Sequence, residues 1–102
     1  MNPVPEIDVE RARELQQSGE ATFLDIRDPA SFAAGHIEGA THLTDANVES
    51  VLSGLSPDRC VVVVCYHGNS SRGGAAFLLQ RGFQEVYSLQ GGFEAWRATQ
   101  SL

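Results

Sequence analysis

The run Val61-Val62-Val63-Val64 constrains this chain more than any other feature. Four β-branched residues in succession, with no polar residue alternating among them, fit a strand covered on both faces, and such strands belong to parallel sheets held between helical layers. Cys65 falls where the run stops. Tyr66-His67-Gly68-Asn69-Ser70 come next, and Gly, Asn and Ser are residues that turn a backbone and leave its N–H groups free. A helix is expected after them: Ala75, Leu78 and Leu79 share one face, and Gly82 occupies the usual stop position. A thiol between a strand end and a helix start lies among N–H groups that have no partners of their own. The helix dipole adds roughly half a positive charge there. A thiolate is favoured over a thiol in that cup, so the pKa should fall below the ~8.5 of free cysteine. The same cup can hold an anion, which makes the local chemistry that of a nucleophilic sulfur in an oxyanion-type cradle.

The other elements alternate in the same way. Residues 1–6, with Pro3 and Pro5, read as a loose lead-in, and Ile7 as a short strand or a staple. Asp8 is placed to cap a helix through Ser18, with Ala12 and Leu15 inward and Gly19 as the stop. Thr22–Ile26 reads as a strand. Asp28 and Pro29 open a short helix that carries Phe32 and ends at Gly35. His36–Ala40 is a turn-rich connector before a brief strand over Thr41-His42-Leu43. Asp45 is expected to cap a helix with Val48, Val51, Leu52 and Leu55 as its apolar stripe, broken by Ser56-Pro57-Asp58. Glu85–Leu89 is a fifth strand, Gly91-Gly92 a turn, and Phe93-Glu94-Ala95-Trp96 opens a last helix. Strands alternating with helices imply an α/β fold: a mainly parallel five-stranded central sheet with helices on both faces. Sites in such sheets lie at the carboxyl ends of the strands, where Cys65 is.

At 102 residues the expectation is one domain spanning residues 1–102, with a core large enough to fold without disulfide or metal. Seven basic against 13 acidic residues give a formal net charge of -6. There is no basic patch to neutralise phosphates, which argues against a nucleic-acid partner. An anionic substrate must then be captured by a local site rather than by the field of the whole molecule. Met1–Glu6 has neither a basic nor an apolar leader region, and no apolar run approaches the ~20 residues that span a bilayer. A cytoplasmic protein with no membrane partner is the expectation. Cys60 and Cys65 on one strand would lie ~16 Å apart and on opposite faces, too far for a disulfide. Both should remain thiols, as in a reducing compartment.

With these residues placed, the chain resembles the rhodanese family of sulfurtransferases along nearly its whole length. Asp25-Ile26-Arg27, Phe32 and Gly35–Ala40 look like the family's first signature. Gly82-Phe83, Val86, Leu89, Gly91-Gly92-Phe93 and Trp96 look like its closing one. Cys65 stands where the family has its catalytic cysteine, and the loop Cys65–Ser71 is similar to that of GlpE-type single-domain thiosulfate sulfurtransferases. The resemblance implies a rhodanese-like fold and a double displacement. Cys65 takes the outer sulfur of thiosulfate as a persulfide, and a thiophilic acceptor then removes it: cyanide, a thiol or dithiol, or a thioredoxin-like protein. No metal or organic cofactor is implied. Tyr66, His67, Gly68, Asn69, Ser70, Ser71 and Arg72 would bind the substrate. One departure stands out: many family members carry Arg five positions after the cysteine, and here that residue is Ser70. Backbone N–H groups, rather than side-chain charge, are therefore expected to hold the anion.

Other readings compete residue by residue. Cys65 could be plain core, the common fate of a cysteine, although the glycine-bearing turn after it favours catalysis. Cys60 reads as packing. Gly68 would supply positive φ or close approach to the anion. Ser70 or Ser71 could cap the helix. His67 could lend partial positive charge or simply be solvated. Arg72 opposes the dipole of its own helix, which either an anion partner or exposure to solvent would explain. Gly73-Gly74 suggest tight packing of the helix on the sheet. Asp25 and Arg27 read as a structural pair, Phe93 and Trp96 as core, and Glu94 as solvated. His36 and His42 lack further ligands for a metal. Two other functions remain: a persulfide-relay or binding module for a partner protein, and a Cys-x5-Arg phosphatase or arsenate reductase. In the second the arginine would be out of register, since Ser71 holds its position and Arg72 follows.

Overall fold

The computed structural model describes residues 4–100. The alternation expected from the sequence is observed: β1 (Glu6–Ile7), α1 (Val9–Ser18), β2 (Ala21–Asp25), α2 (Pro29–Ala34), β3 (Thr41–His42), α3 (Val48–Ser53), β4 (Cys60–Val64), α4 (Ser70–Gln80), β5 (Val86–Leu89) and α5 (Gly92–Gln100). The strands form one sheet in the order β1-β5-β4-β2-β3, and every pairing among the described residues is parallel. The valine strand is the centre. Val61 to Val64 are fully buried, because successive side chains point to opposite faces and both faces are covered. Val62 and Val64 pack with Ala12 and Leu15 of α1 and with Phe93 and Trp96 of α5. Val61 and Val63 pack with Leu52 of α3 and with Ala75 and Leu78 of α4. Each buried valine contributes about 1.5–3 kcal/mol, so this strand anchors both halves of the core.

Several boundaries differ from expectation for local reasons. The first three residues of the anticipated lead-in, Pro3 among them, lie outside the described residues. Glu6 is not loose but pairs with Ser88 in the sheet. The β2 ladder runs from Ala21, and Ile26 still donates its N–H to Val64 O at 2.9 Å just past the strand. Asp45 does not cap α3. Thr44 and Asn47 lock each other instead: Thr44 N–H reaches Asn47 Oδ1 at 2.7 Å and Asn47 N–H reaches Thr44 Oγ1 at 3.2 Å. The helix therefore starts only at Val48, and Leu55 falls beyond its end. At the end of α4, Arg81 is the cap residue and Gly82 follows it. Asp8 and Asp28 cap α1 and α2 as expected, accepting from Arg11 N–H and Ser31 N–H. Among the described residues no helix is long and apolar enough to cross a membrane.

Asp25 and Arg27 form a buried ion pair at 2.8 Å, with side chains 0% and 5% exposed. The carboxylate also accepts from Arg27 Nε at 3.0 and 3.1 Å and from Arg27 N–H at 2.9 Å. The guanidinium donates on to Gly35 O at 2.7 Å and lies 4.2 Å from the centre of the Phe93 ring. One side chain thus ties the end of β2 to the end of α2 and to α5. Removing one partner of such a pair strands a buried charge, at a cost of about 3–5 kcal/mol. Arg27→Met should lower unfolding stability by that amount in urea titration, with β4 and the loop after it still in place.

Candidate active site

Cys65 follows β4, the central strand, so it sits in the middle of the carboxyl edge shared by all the strands. Its side chain is 3% exposed. Two main-chain donors converge on the sulfur: Gly68 N–H at 3.1 Å and Ser71 N–H at 3.2 Å. The second is one of the unpartnered first-turn N–H groups of α4. Ser71 Oγ lies 3.2 Å from the sulfur and 2.6 Å from Ser88 Oγ. Ser71, expected among the active-site loop residues or as a cap of the helix, is fully buried and belongs to the sulfur's surroundings. The residue at the cap position is Asn69, and its side chain makes no capping bond.

The loop is oriented from behind. Cys65 O accepts from Phe93 N–H at 2.8 Å and Tyr66 O from Glu94 N–H at 3.1 Å, both at the start of α5. Across a trans peptide the C=O and the next N–H point in opposite directions. Drawing the carbonyls of residues 65 and 66 back toward α5 therefore turns the N–H groups of Tyr66 and His67 forward. This contact requires glycine on the helix side: a Cβ on Gly92 would lie 2.4 Å from Tyr66 C and O and 2.5 Å from Cys65 O. Gly68 meets the same wall, with φ +92 and a virtual Cβ 3.0 Å from Gly91 N and 3.1 Å from Leu89 O. Gly91-Gly92 read as a turn in the sequence; in the structure the pair is the back of the cradle.

The remaining loop residues divide by depth. Tyr66 is 39% exposed. Its hydroxyl donates to the Asp28 carboxylate, accepts Asp28 N–H at 3.2 Å and lies 3.3 Å from Ser31 Oγ. The ring straps the loop to the start of α2, a side-chain role that the sequence did not suggest. The hydroxyl and N–H of Ser31 hold the Asp28 carboxyl below its usual range. His67, Asn69 and Ser70 are exposed. Arg72 is also exposed and donates to Asn69 Oδ1 at 3.3 Å; no hydrogen bond joins it to the sulfur. The arginine clamp of a Cys-x5-Arg enzyme is thus not formed by this residue. Gly74 faces the sheet, where a Cβ would come 3.1 Å from Val63 Cγ1, which accounts for one glycine of the α4 pair. Gly73 has open space around it, and nothing in the structure explains it. His36 and His42 both stack on Phe32, at 3.8 and 4.7 Å between ring centres.

The two cysteines are free thiols in opposite electrostatic settings. At Cys65 burial pushes the pKa up, but the Ser71 hydroxyl and the N–H groups of Ser71, Gly68 and His67 outweigh it, and the pKa is lowered. At Cys60 burial, reinforced by the nearby Glu85 carboxylate, raises it to about 11. Hydrogen bonding favours the anion at one sulfur, and burial disfavours it at the other.

A parallel sheet of this strand order, with a single activated thiol in an amide-lined loop at its carboxyl edge, narrows the chain to one class of protein. It belongs to the rhodanese-like domain family, whose profile matches residues 8–99. It is 48% identical over 99 residues to the thiosulfate sulfurtransferase GlpE of Pseudomonas fluorescens, spanning 97% of this chain and 90% of that protein. It is 52% identical over 89 residues to the GlpE of a Pseudomonas aeruginosa strain, spanning 87% and 80%. Its fold matches the crystal structure of a rhodanese-related protein from Thermoplasma volcanium with a TM-score of 0.79 at 25% identity, over 93% of this chain and 92% of that one.

The lowered pKa has a definite sign in pH dependence. The Cys65 thiolate adds stability that is complete above the ~8.5 of an unfolded thiol and is lost as pH falls through the folded value. Iodoacetamide alkylation should inflect below the pH typical of a free thiol and mark Cys65 alone near neutrality. Gly68→Ala should raise that inflection. A wild-type inflection at or above that of a free thiol would refute the cradle.

Proposed function

We propose that the chain is a thiosulfate sulfurtransferase in which Cys65 is the catalytic nucleophile and residues 66–72 bind the substrate. The Cys65 thiolate attacks the outer sulfur of thiosulfate. A Cys65–sulfur bond forms, the S–SO3 bond breaks, and sulfite leaves with the electron pair. The persulfide anion left on Cys65 is the enzyme's stored intermediate. Its reactive sulfur stands one S–S bond, about 2.05 Å, beyond the buried Sγ. An acceptor then attacks that outer sulfur and the Cys65 thiolate departs; cyanide becomes thiocyanate, and a thiol becomes a persulfide.

The observation that carries this reading is the pair of N–H groups at 3.1 and 3.2 Å on a buried sulfur. Donors fixed in advance hold a developing or resident anion without reorganising. The main-chain groups of Tyr66, His67, Gly68, Asn69, Ser70 and Ser71 supply the donors. Arg72, exposed in the first turn of α4, supplies a positive charge for an incoming dianion. The identities with GlpE proteins over most of the chain support thiosulfate as donor and a thiol as acceptor. A thioredoxin-like protein is the acceptor we favour, because its exposed dithiol can both receive and discharge the sulfur. The family match over residues 8–99 supports reading the chain as one rhodanese-like domain. Two free cysteines suit a reducing compartment, and we place the protein in the cytoplasm.

Intact mass spectrometry after incubation with thiosulfate should show the gain of one sulfur atom on the native chain and none on Cys65→Ser. Cyanide should discharge it as thiocyanate. Absence of both adduct and thiocyanate would overturn the assignment. Transfer to a protein thiol but not to cyanide would make the chain a relay module.

A further inference from the structure

Ser88 is a polar residue in the buried strand Val86-Tyr87-Ser88-Leu89, and it is fully buried. Its main-chain N–H is taken by Pro5 O at 2.9 Å. Its hydroxyl has one hydrogen-bond partner among the described residues, Ser71 Oγ at 2.6 Å. Ser71 Oγ in turn lies 3.2 Å from Cys65 Sγ. Three groups, Ser88, Ser71 and Cys65, thus form a closed row away from solvent.

Proton counting gives the row a preferred direction. With a neutral thiol, three hydrogens compete for two hydroxyl oxygens and a weakly accepting sulfur. If S–H donates to Ser71 and Ser71 to Ser88, the Ser88 hydrogen is left without an acceptor. If Ser88 donates to Ser71 and Ser71 to sulfur, the S–H hydrogen is left over. With a thiolate both hydrogens are used: Ser88 donates to Ser71, and Ser71 donates to the sulfur anion. Buried donors left unpaired are unfavourable, so the row is fully satisfied only when Cys65 is deprotonated.

We propose that Ser88 is a positioning residue for the sulfur chemistry, holding the Ser71 hydroxyl so that its proton points at the Cys65 thiolate. The inference rests on the sulfur-transfer reading of the site and adds a residue to it. The oriented donor acts twice. It favours the thiolate that attacks the donor, and it favours the same thiolate as leaving group when the acceptor removes the outer sulfur. Ser88 touches neither substrate nor reacting atom, and its whole effect passes through Ser71.

The test is the pH profile of Cys65 alkylation by iodoacetamide, with no sulfur donor present. Ser88→Ala should raise the inflection by about one pH unit, the size expected from weakening one hydrogen bond to a charged group. Ser88→Gly deletes the hydroxyl independently and should give the same shift, and Ser88→Thr, which keeps it, should restore the wild-type profile. Ser71→Ala should shift the inflection at least as far, and adding Ser88→Ala to it should shift it no further. Discharge of a preformed persulfide by cyanide should slow about tenfold in Ser88→Ala. An unchanged inflection in both Ser88 deletions, or a second full shift in the double variant, would overturn the proposal. Because the titration contains no thiosulfate, its outcome stands apart from the mass test of sulfur transfer.

Discussion

The site depends on two hydrogen bonds made behind it. Phe93 N–H and Glu94 N–H hold the carbonyls of Cys65 and Tyr66, and planarity of the peptide then turns the following N–H groups, those of Tyr66 and His67, away from α5. The start of α5 therefore acts as a template for a loop that it does not otherwise belong to. The glycine at position 92 is a condition of that contact, because any side chain there would collide with the two carbonyls. The loop is also secured from the front, where Tyr66 reaches Asp28 and Ser31. A segment rich in turn residues would otherwise sample many conformations, and donors pointing in many directions would hold no anion.

The molecule favours the thiolate at Cys65 despite an excess of negative charge, 13 acidic against seven basic residues. Distance and screening resolve the conflict. Exposed carboxylates beyond a Debye length of about 8 Å have little effect on a buried sulfur. Donors at hydrogen-bond distance in a dry pocket have a large one. The same burial that raises the Cys60 pKa acts on Cys65; the hydrogen bonds from the Ser71 hydroxyl and the loop N–H groups at Cys65, and the Glu85 carboxylate beside Cys60, separate the two thiols. Arg27, the one buried cation among the described residues, is engaged by Asp25 and Gly35 O and serves the scaffold.

Much of this could be read from residue order. The valine run, the position of Cys65 at its end, the caps Asp8 and Asp28 and the Asp25–Arg27 pair are local patterns, and each appears where expected. The misplaced features share a cause. Asp45 was a plausible cap, but Asn47 and Thr44 satisfied each other first. Ser71 was a plausible cap, but its hydroxyl found Ser88, 17 residues away. Tyr66 looked like a backbone donor, and its ring turned out to bind Asp28, 38 residues earlier. In each case a competing hydrogen bond displaced the expected one: a local pair at Thr44 and Asn47, three residues apart, and tertiary partners for Ser71 and Tyr66, which sequence spacing does not describe.

The amino-acid order by itself determined the layered parallel fold, the place of Cys65 at the end of the central strand and the main-chain character of its cradle, because strand burial, turn composition and helix starts are set by neighbours within a few positions. Only the tertiary structure decided which way the cradle faces and what completes it. Those depend on α5, β5 and α2 meeting the loop after Cys65 in space, through backbone carbonyls and hydroxyls that leave no periodic trace in the chain.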